Sequence, residues 1–228
     1  MLSKAKNAIA HLRNEFSFTD TKTSTLLLLL LVTDCIFVIL HFVALTPWFD
    51  NPLLGINQDQ GYAEIYMYIK ELWIIILLIL ILIKTKTIGY SAWILLFLYI
   101  LLDDSLEIHE TLGGYIATQL EFQPLLGLRS QDFGELSVSV LSGSILLGLL
   151  LIFYISSSNA YKHVSKNIFL LFLVLIFFGV FIDMLDQIIK LGWEVAYIFA
   201  AIEDGGELIV MSLLLHYIYL VKIRANPL

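Results

Sequence analysis

The stretch LLDDSLEIHETLGG, residues 101–114, decides how the chain is read. Asp103, Asp104, Glu107, His109 and Glu110 fall within it, yet the residues before it (YSAWILLFLYI, 90–100) are those of a lipid-soluble helix. An ionisable side chain at mid-bilayer costs roughly 2.5–3.5 kcal/mol on insertion scales, so such groups face a bundle interior or a wet cavity. The stretch therefore predicts a helix that crosses a membrane and turns a polar edge inward.

The rest of the chain agrees. Of 228 residues 59% are hydrophobic and only 14% charged, well outside the range of soluble domains. Six runs reach the roughly 20 apolar residues needed to cross hydrocarbon: 24–45, 61–84, 90–116, 133–156, 168–190 and 195–221. Backbone groups in lipid must pair within their own segment, so the runs are helices. The expected fold is an all-α bundle of six transmembrane helices, forming one domain over 1–228 with a cytoplasmic segment at 1–23. Residues 2–16 suit either an interfacial helix or a plain lead-in. Cys35 is the single cysteine, which excludes an intrachain disulfide.

Lysine and arginine set the orientation. Lys4, Lys6, Arg13, Lys22, Lys84, Lys86, Lys162, Lys166, Lys222 and Arg224 lie on one side of the six runs. Arg129, Lys190 and the helix-embedded Lys70 lie towards the other. Both termini are therefore expected in the cytoplasm, and the acids fall at mid-depth or in the outer half. Fourteen carboxylates occupy that zone: Asp34, Glu64, Glu71, Asp103, Asp104, Glu107, Glu110, Asp132, Glu135, Asp183, Asp186, Glu203, Asp204 and Glu207. If half lie deep, about 20 kcal/mol is at stake, more than a typical net fold stability.

At 100° per residue Asp103, Glu107 and Glu110 share one face, as do Asp183, Asp186 and Gln187, and Glu203 with Glu207. Glu135, Ser139 and Ser142 line a stripe of their own; His109 lies off the main stripe. Buried acids can stay protonated, pair with cations, or bind metal. The cations are few. The pattern acid-acid-x-x-acid recurs as Asp103-Asp104-x-x-Glu107 and Glu203-Asp204-x-x-Glu207, which suggests a carboxylate cage like those of bundle metalloproteins. Its expected ligands are Asp103, Asp104, Glu107, Asp183, Asp186, Glu203, Asp204 and Glu207, with His41 and Glu71 as possible additions. The ion would be divalent: Mg, Mn or Ca by the oxygen donors, Zn or Fe with histidine. Glu110 or His109 would act as general base.

Plainer alternatives stand beside each of these. Asp34 and His41 suit a buried ion pair. Asp183 and Asp186 could pair with Lys190, and Glu64, Asp132 and Glu135 could be surface groups. His216 is expected to snorkel towards the cytoplasm. Gly113-Gly114 and Gly205-Gly206 suit close helix contact.

Several motifs are rejected. DDSLE resembles the acid-rich boxes of membrane prenyltransferases, but its outer placement counts against them. E-x-x-H, H-E-x-x-H, G-x-S-x-G and phosphate-loop patterns are missing from the sequence. Nucleic-acid binding has no support. LDDSLEIHE (102–110), FIDMLD (181–186) and IEDGGELI (202–209) together resemble a group of bacterial multi-pass membrane proteins of unassigned activity. That resemblance implies a bacterial inner-membrane location and no reaction.

The functional expectation is a metal-dependent membrane protein whose site opens to the extracytoplasmic side. An enzyme acting on a lipid or other hydrophobic substrate is the form of that expectation the acids suit best, with enzyme activity itself left open. Proton or cation transport is the rival, and a structural subunit with a polar core is the third possibility.

Overall fold

A computed structural model describes residues 21–46, 51–125, 127–189 and 192–225. Among these the regular structure is helical: α1 (Thr21–Ala44), a 3-10 turn (Pro52–Leu54), α2 (Tyr62–Thr85), α3 (Tyr90–Leu106), α4 (Ile108–Gln119), α5 (Ser130–Ser156), α6 (Asn159–Ile176), a π-helical segment (Phe177–Ile182), α7 (Asp183–Ile189) and α8 (Trp193–Arg224). Four stretches are long and apolar enough to cross a membrane: Thr23–Ala44, Tyr62–Thr85, Ser130–Ser156 and Asn159–Leu185.

The helices are apolar on nearly every face, so position in the bundle is set by where the few polar groups must hide. In α1 the buried residues Thr23, Leu27, Leu30, Asp34 and His41 repeat at three, four and seven residues. Leu28, Leu29, Val32, Ile36 and Ile39 point outwards. Helix α2 divides in the same way. It buries Met67, Lys70, Glu71, Ile74, Leu78 and Ile81, and exposes Ile65, Leu72, Ile76 and Ile83. Outward-facing aliphatic residues at this density suit contact with lipid chains rather than water.

Helix α8 is the core around which the others assemble, packing against α1, α2, α6, the π segment and α7. Leu208, Met211, Ser212, Leu214, Leu215, His216, Tyr217 and Ile218 are all almost wholly buried. His216 therefore does not snorkel. Its helix is enclosed on several sides, so the imidazole has no route to the surface. The Asn167 side-chain amide donates to Tyr217 OH at 2.9 Å, and Trp93 Nε1 donates to Ser165 Oγ at 3.0 Å, holding α6 to α8 and to α3.

The expected single helix over 90–116 does not form. It stops at Leu106, Glu107 takes a left-handed conformation (φ 51°, ψ 42°), and a second helix restarts at Ile108. The break has a visible cause. Asp103 Oδ1 accepts the backbone N–H of His109 at 2.9 Å, and Asp103 Oδ2 lies 3.0 Å from His109 Nδ1. One carboxylate thus satisfies the amide left free by the restart and fixes the imidazole as well. The expected shared face of Asp103, Glu107 and Glu110 is lost with helical continuity.

Helix α4 packs tightly along α5. A side chain on Gly134 would collide with the Gly113 carbonyl, and one on Gly113 with the backbone of Glu135. Gly113 thus provides the close contact its sequence suggests, whereas Gly114 faces open space. The segment 168–190 is helical to Ile189, but it passes through the π turn at 177–182. Residues 2–16 and Lys190 lie outside the described residues, and so does the side chain of Asp186.

Candidate functional site

Asp34 and Lys70 form a closed unit at the heart of the bundle, both with no solvent exposure. Lys70 Nζ lies 3.0 Å from Asp34 Oδ1 and also donates to the Leu208 carbonyl at 2.7 Å and to Ser212 Oγ at 3.3 Å. Ser212 in turn donates to Asp34 Oδ2 at 2.6 Å. An ammonium has three N–H bonds, and all three are used. The Tyr66 ring lies 4.5 Å from the same nitrogen. The expected Asp34–His41 pair is therefore wrong, because a closer and better-placed cation comes from α2.

His41 has a different task. Its Nδ1 accepts the Ile56 N–H at 3.1 Å, so its Nε2 carries the proton and donates to the Tyr197 carbonyl at 3.0 Å. Both nitrogens being committed to backbone, the ring is neutral and joins α1, the 51–61 connection and the start of α8. This geometry leaves no ring nitrogen for a metal.

Above this layer the bundle opens into two adjoining hollows. A polar vestibule of about 800 Å³ is walled by Asp59, Glu64, Tyr68, Asp104, His109, Glu110, Arg129, Asp132, Glu135, Asp183, Glu203, Asp204 and Glu207, among others. A more apolar slot of about 540 Å³ runs between α5 and the α6–π stretch. Leu96, Ile100, Leu136, Val140, Leu147, Phe172 and Ile176 line it. Met67, Asp104, His109, Asp132, Glu135, Gly179, Asp183 and Glu207 line both, so the two hollows lie side by side and share a wall.

The elements place these groups for identifiable reasons. Arg129 and Asp132 cap α5 reciprocally: the Arg129 backbone N–H donates to Asp132 Oδ2 at 2.7 Å, and its side chain donates to Asp132 Oδ1 at 2.6 and 2.8 Å. Those bonds hold the guanidinium pKa above its usual value. Glu64 accepts the Gln60 N–H at the start of α2. Gln131 donates to Glu135 at 2.7 Å, and Tyr68 OH donates to the Asp104 carbonyl at 3.0 Å. The π turn lets the bare Cα of Gly179 approach α8, where any side chain would collide with Glu207 Oε1. Extra-residue turns of this type recur at functional sites.

Of the residues expected to bind metal, Asp104, Asp183, Glu203, Asp204 and Glu207 line the vestibule. Asp103 lines the slot but is committed to His109, and Glu107 lines neither hollow. Glu71 lies in the slot wall, whereas His41 is tied to backbone. Among the described residues no three His, Cys, Asp or Glu side chains are arranged to hold a metal ion. The two candidate bases, His109 and Glu110, both line the vestibule. His109 follows directly on the chain break and is held there by Asp103.

Sequence reasoning missed Lys70 as the partner of Asp34, together with Ser212, Tyr99 and Gly179. Lys70 did carry a signal: it is the single cation in the apolar run 61–83. Gly179 stands between FF and VF and gives no sign of what it faces.

The fold and site define a helical protein with four stretches long and apolar enough to cross a membrane and an acid-walled interior cavity. The chain belongs to the DUF8692 family, a domain of unknown function, whose model matches residues 29–223. No curated protein and no solved structure matches it.

Proposed function

We propose that this is an integral membrane protein that binds an amphipathic, lipid-like molecule. The apolar chain would enter the slot between α5 and α6, and the polar end would reach the vestibule. The observation that carries the reading is the adjacency of the two hollows, one apolar and one polar, at volumes typical of small-molecule sites. In this reading α3 and α8 cross the membrane beside the four long apolar stretches, giving six spans. Both termini lie in the cytoplasm, and the vestibule faces the outer side of a bacterial inner membrane.

Gly143 provides the test. It lines the slot, and a side chain there would meet nothing within 4 Å, so Gly143→Trp fills the slot without disturbing the backbone. A long-chain alcohol carrying a photoreactive tail, added to the purified protein in maltoside micelles, is expected to label slot residues in the native chain. In the variant that labelling falls several-fold. Labelling scattered over outward-facing residues and indifferent to the substitution overturns the reading.

A metal-dependent form of the same reading would draw on Asp104, Asp183, Glu203, Asp204 and Glu207, which line one cavity although, among the described residues, no three such side chains are arranged around a common point. A divalent ion drawn in with substrate would polarise it, with His109 or Glu110 as base. Elemental analysis of purified protein, with and without added Mg, Mn, Ca, Zn or Fe, tests that form. No retained ion under any condition removes it.

A further inference from the structure

Glu71 is an acidic group in the cleft wall whose chemistry is left open. It lies on α2 beside Lys70, has no solvent exposure, and lines the slot. Neither carboxyl oxygen has a donor of its own, and the side chain near enough to share a proton with it is another acid, Asp104. Its strongest side-chain electrostatic neighbours are Asp104 and then Glu207, both acidic. Lys70 is the favourable neighbour, but its three N–H bonds go to Asp34, Leu208 and Ser212. A buried carboxylate in this state is costly, since a proton shared with a second acid leaves the pair without a counter-charge.

The surroundings point to what would repay it. Ten acidic residues line the vestibule against one arginine, and that arginine is bound to Asp132. Such a field repels anionic head groups and attracts cations. A divalent metal needs several oxygens aimed at one point, which the described residues do not offer. An ammonium accepts looser geometry, since each N–H seeks its own acceptor and the charge acts at longer range.

Resting on the amphiphile reading above, we propose that Glu71, with Asp104 and Glu207, seats the positively charged head of a long-chain amine whose tail lies in the slot. Tyr99 lines the same slot with its hydroxyl buried, and its ring adds a surface that cations favour.

The experiment uses the full chain in maltoside micelles with three photoreactive probes of equal tail length: dodecylamine, dodecanol and dodecanoate. Labelled peptides are mapped by mass spectrometry. The amine is expected to label the slot on the order of tenfold more than the alcohol, equivalent to about 1.4 kcal/mol, and the carboxylate least. Glu71→Gln brings the amine down to the level of the alcohol and leaves the alcohol unchanged; Asp104→Asn does so in part and serves if Glu71→Gln fails to fold. Equal labelling by amine and alcohol in the native chain overturns the cation seat and leaves the amphiphile reading standing. Amine labelling unaffected by both substitutions overturns it too. So does a retained divalent ion that Glu71→Gln releases, because the seat then belongs to a metal. Absence of slot labelling by all three probes overturns both readings.

Discussion

Replacing Asp34 by Ala strands the Lys70 ammonium inside the bundle. In the native chain that ammonium has one charged partner and two neutral acceptors, at 3.0, 2.7 and 3.3 Å, with neither charge exposed. Removing one member of a buried pair costs roughly 3–5 kcal/mol, because the survivor keeps its desolvation penalty and loses its counter-charge. Insertion scales put an unpaired lysine at mid-bilayer at about 2.5–3.5 kcal/mol. The two routes overlap near about 3 kcal/mol. For a chain of this size that is a fall of about 6–12 °C in melting temperature. Lys70→Met alone strands Asp34 and costs a similar amount, relieved in part by the Ser212 hydroxyl. The pair Asp34→Ala with Lys70→Met removes both charges; the Leu208 carbonyl loses a donor, and Ser212 loses that donor together with its Asp34 acceptor, leaving only neutral groups behind. The double variant is expected to lie within about 1 kcal/mol of native, which against singles of about 3 kcal/mol each is a coupling of about 5 kcal/mol. Thermal unfolding of the four proteins in one detergent measures this. A double variant as damaged as the sum of the singles refutes the closed-unit account.

Three further outcomes follow from named contacts. Gly134→Leu drives a side chain into the Gly113 carbonyl and separates α4 from α5; a loss of about 3 kcal/mol or more is expected by thermal melting, against little change for Gly114→Leu, which faces open space. His41→Phe keeps ring volume but removes an acceptor from Ile56 and a donor from Tyr197; about 1–3 kcal/mol per orphaned buried group, and faster proteolysis of the 51–61 connection, are the expected readouts. Gly179→Leu collides with the flexible end of Glu207 rather than with backbone, so it should leave the melt within about 1–2 kcal/mol of native while cutting amine labelling of the slot.

The helical class and most helix limits were legible because hydrocarbon tolerates only one backbone solution for a single apolar run. The run at 61–84 is found at Tyr62–Thr85, and that at 133–156 at Ser130–Ser156. Legibility failed where a side chain competes for backbone. Asp103 reaching His109 breaks a run whose composition reads as continuous, and the angular argument for a shared acidic face fails with it. Pairings were hidden for a related reason. Asp34 could have met any buried cation, and spacing along its own helix favoured His41, whereas the structure delivers Lys70 from a neighbouring helix 36 residues on. The slot could not be read from sequence. Its walls are ordinary Leu, Ile, Val and Phe, indistinguishable from lipid-facing residues until α5 and α6 are seen to diverge.

The most direct measurement is a density map of the protein purified in mild detergent and embedded in a nanodisc. The account predicts an elongated feature between α5 and α6 whose inner end stops beside Glu71 and Asp104. A cleft closed by contact between α5 and α6, or one occupied by nothing longer than a single ion, would contradict it.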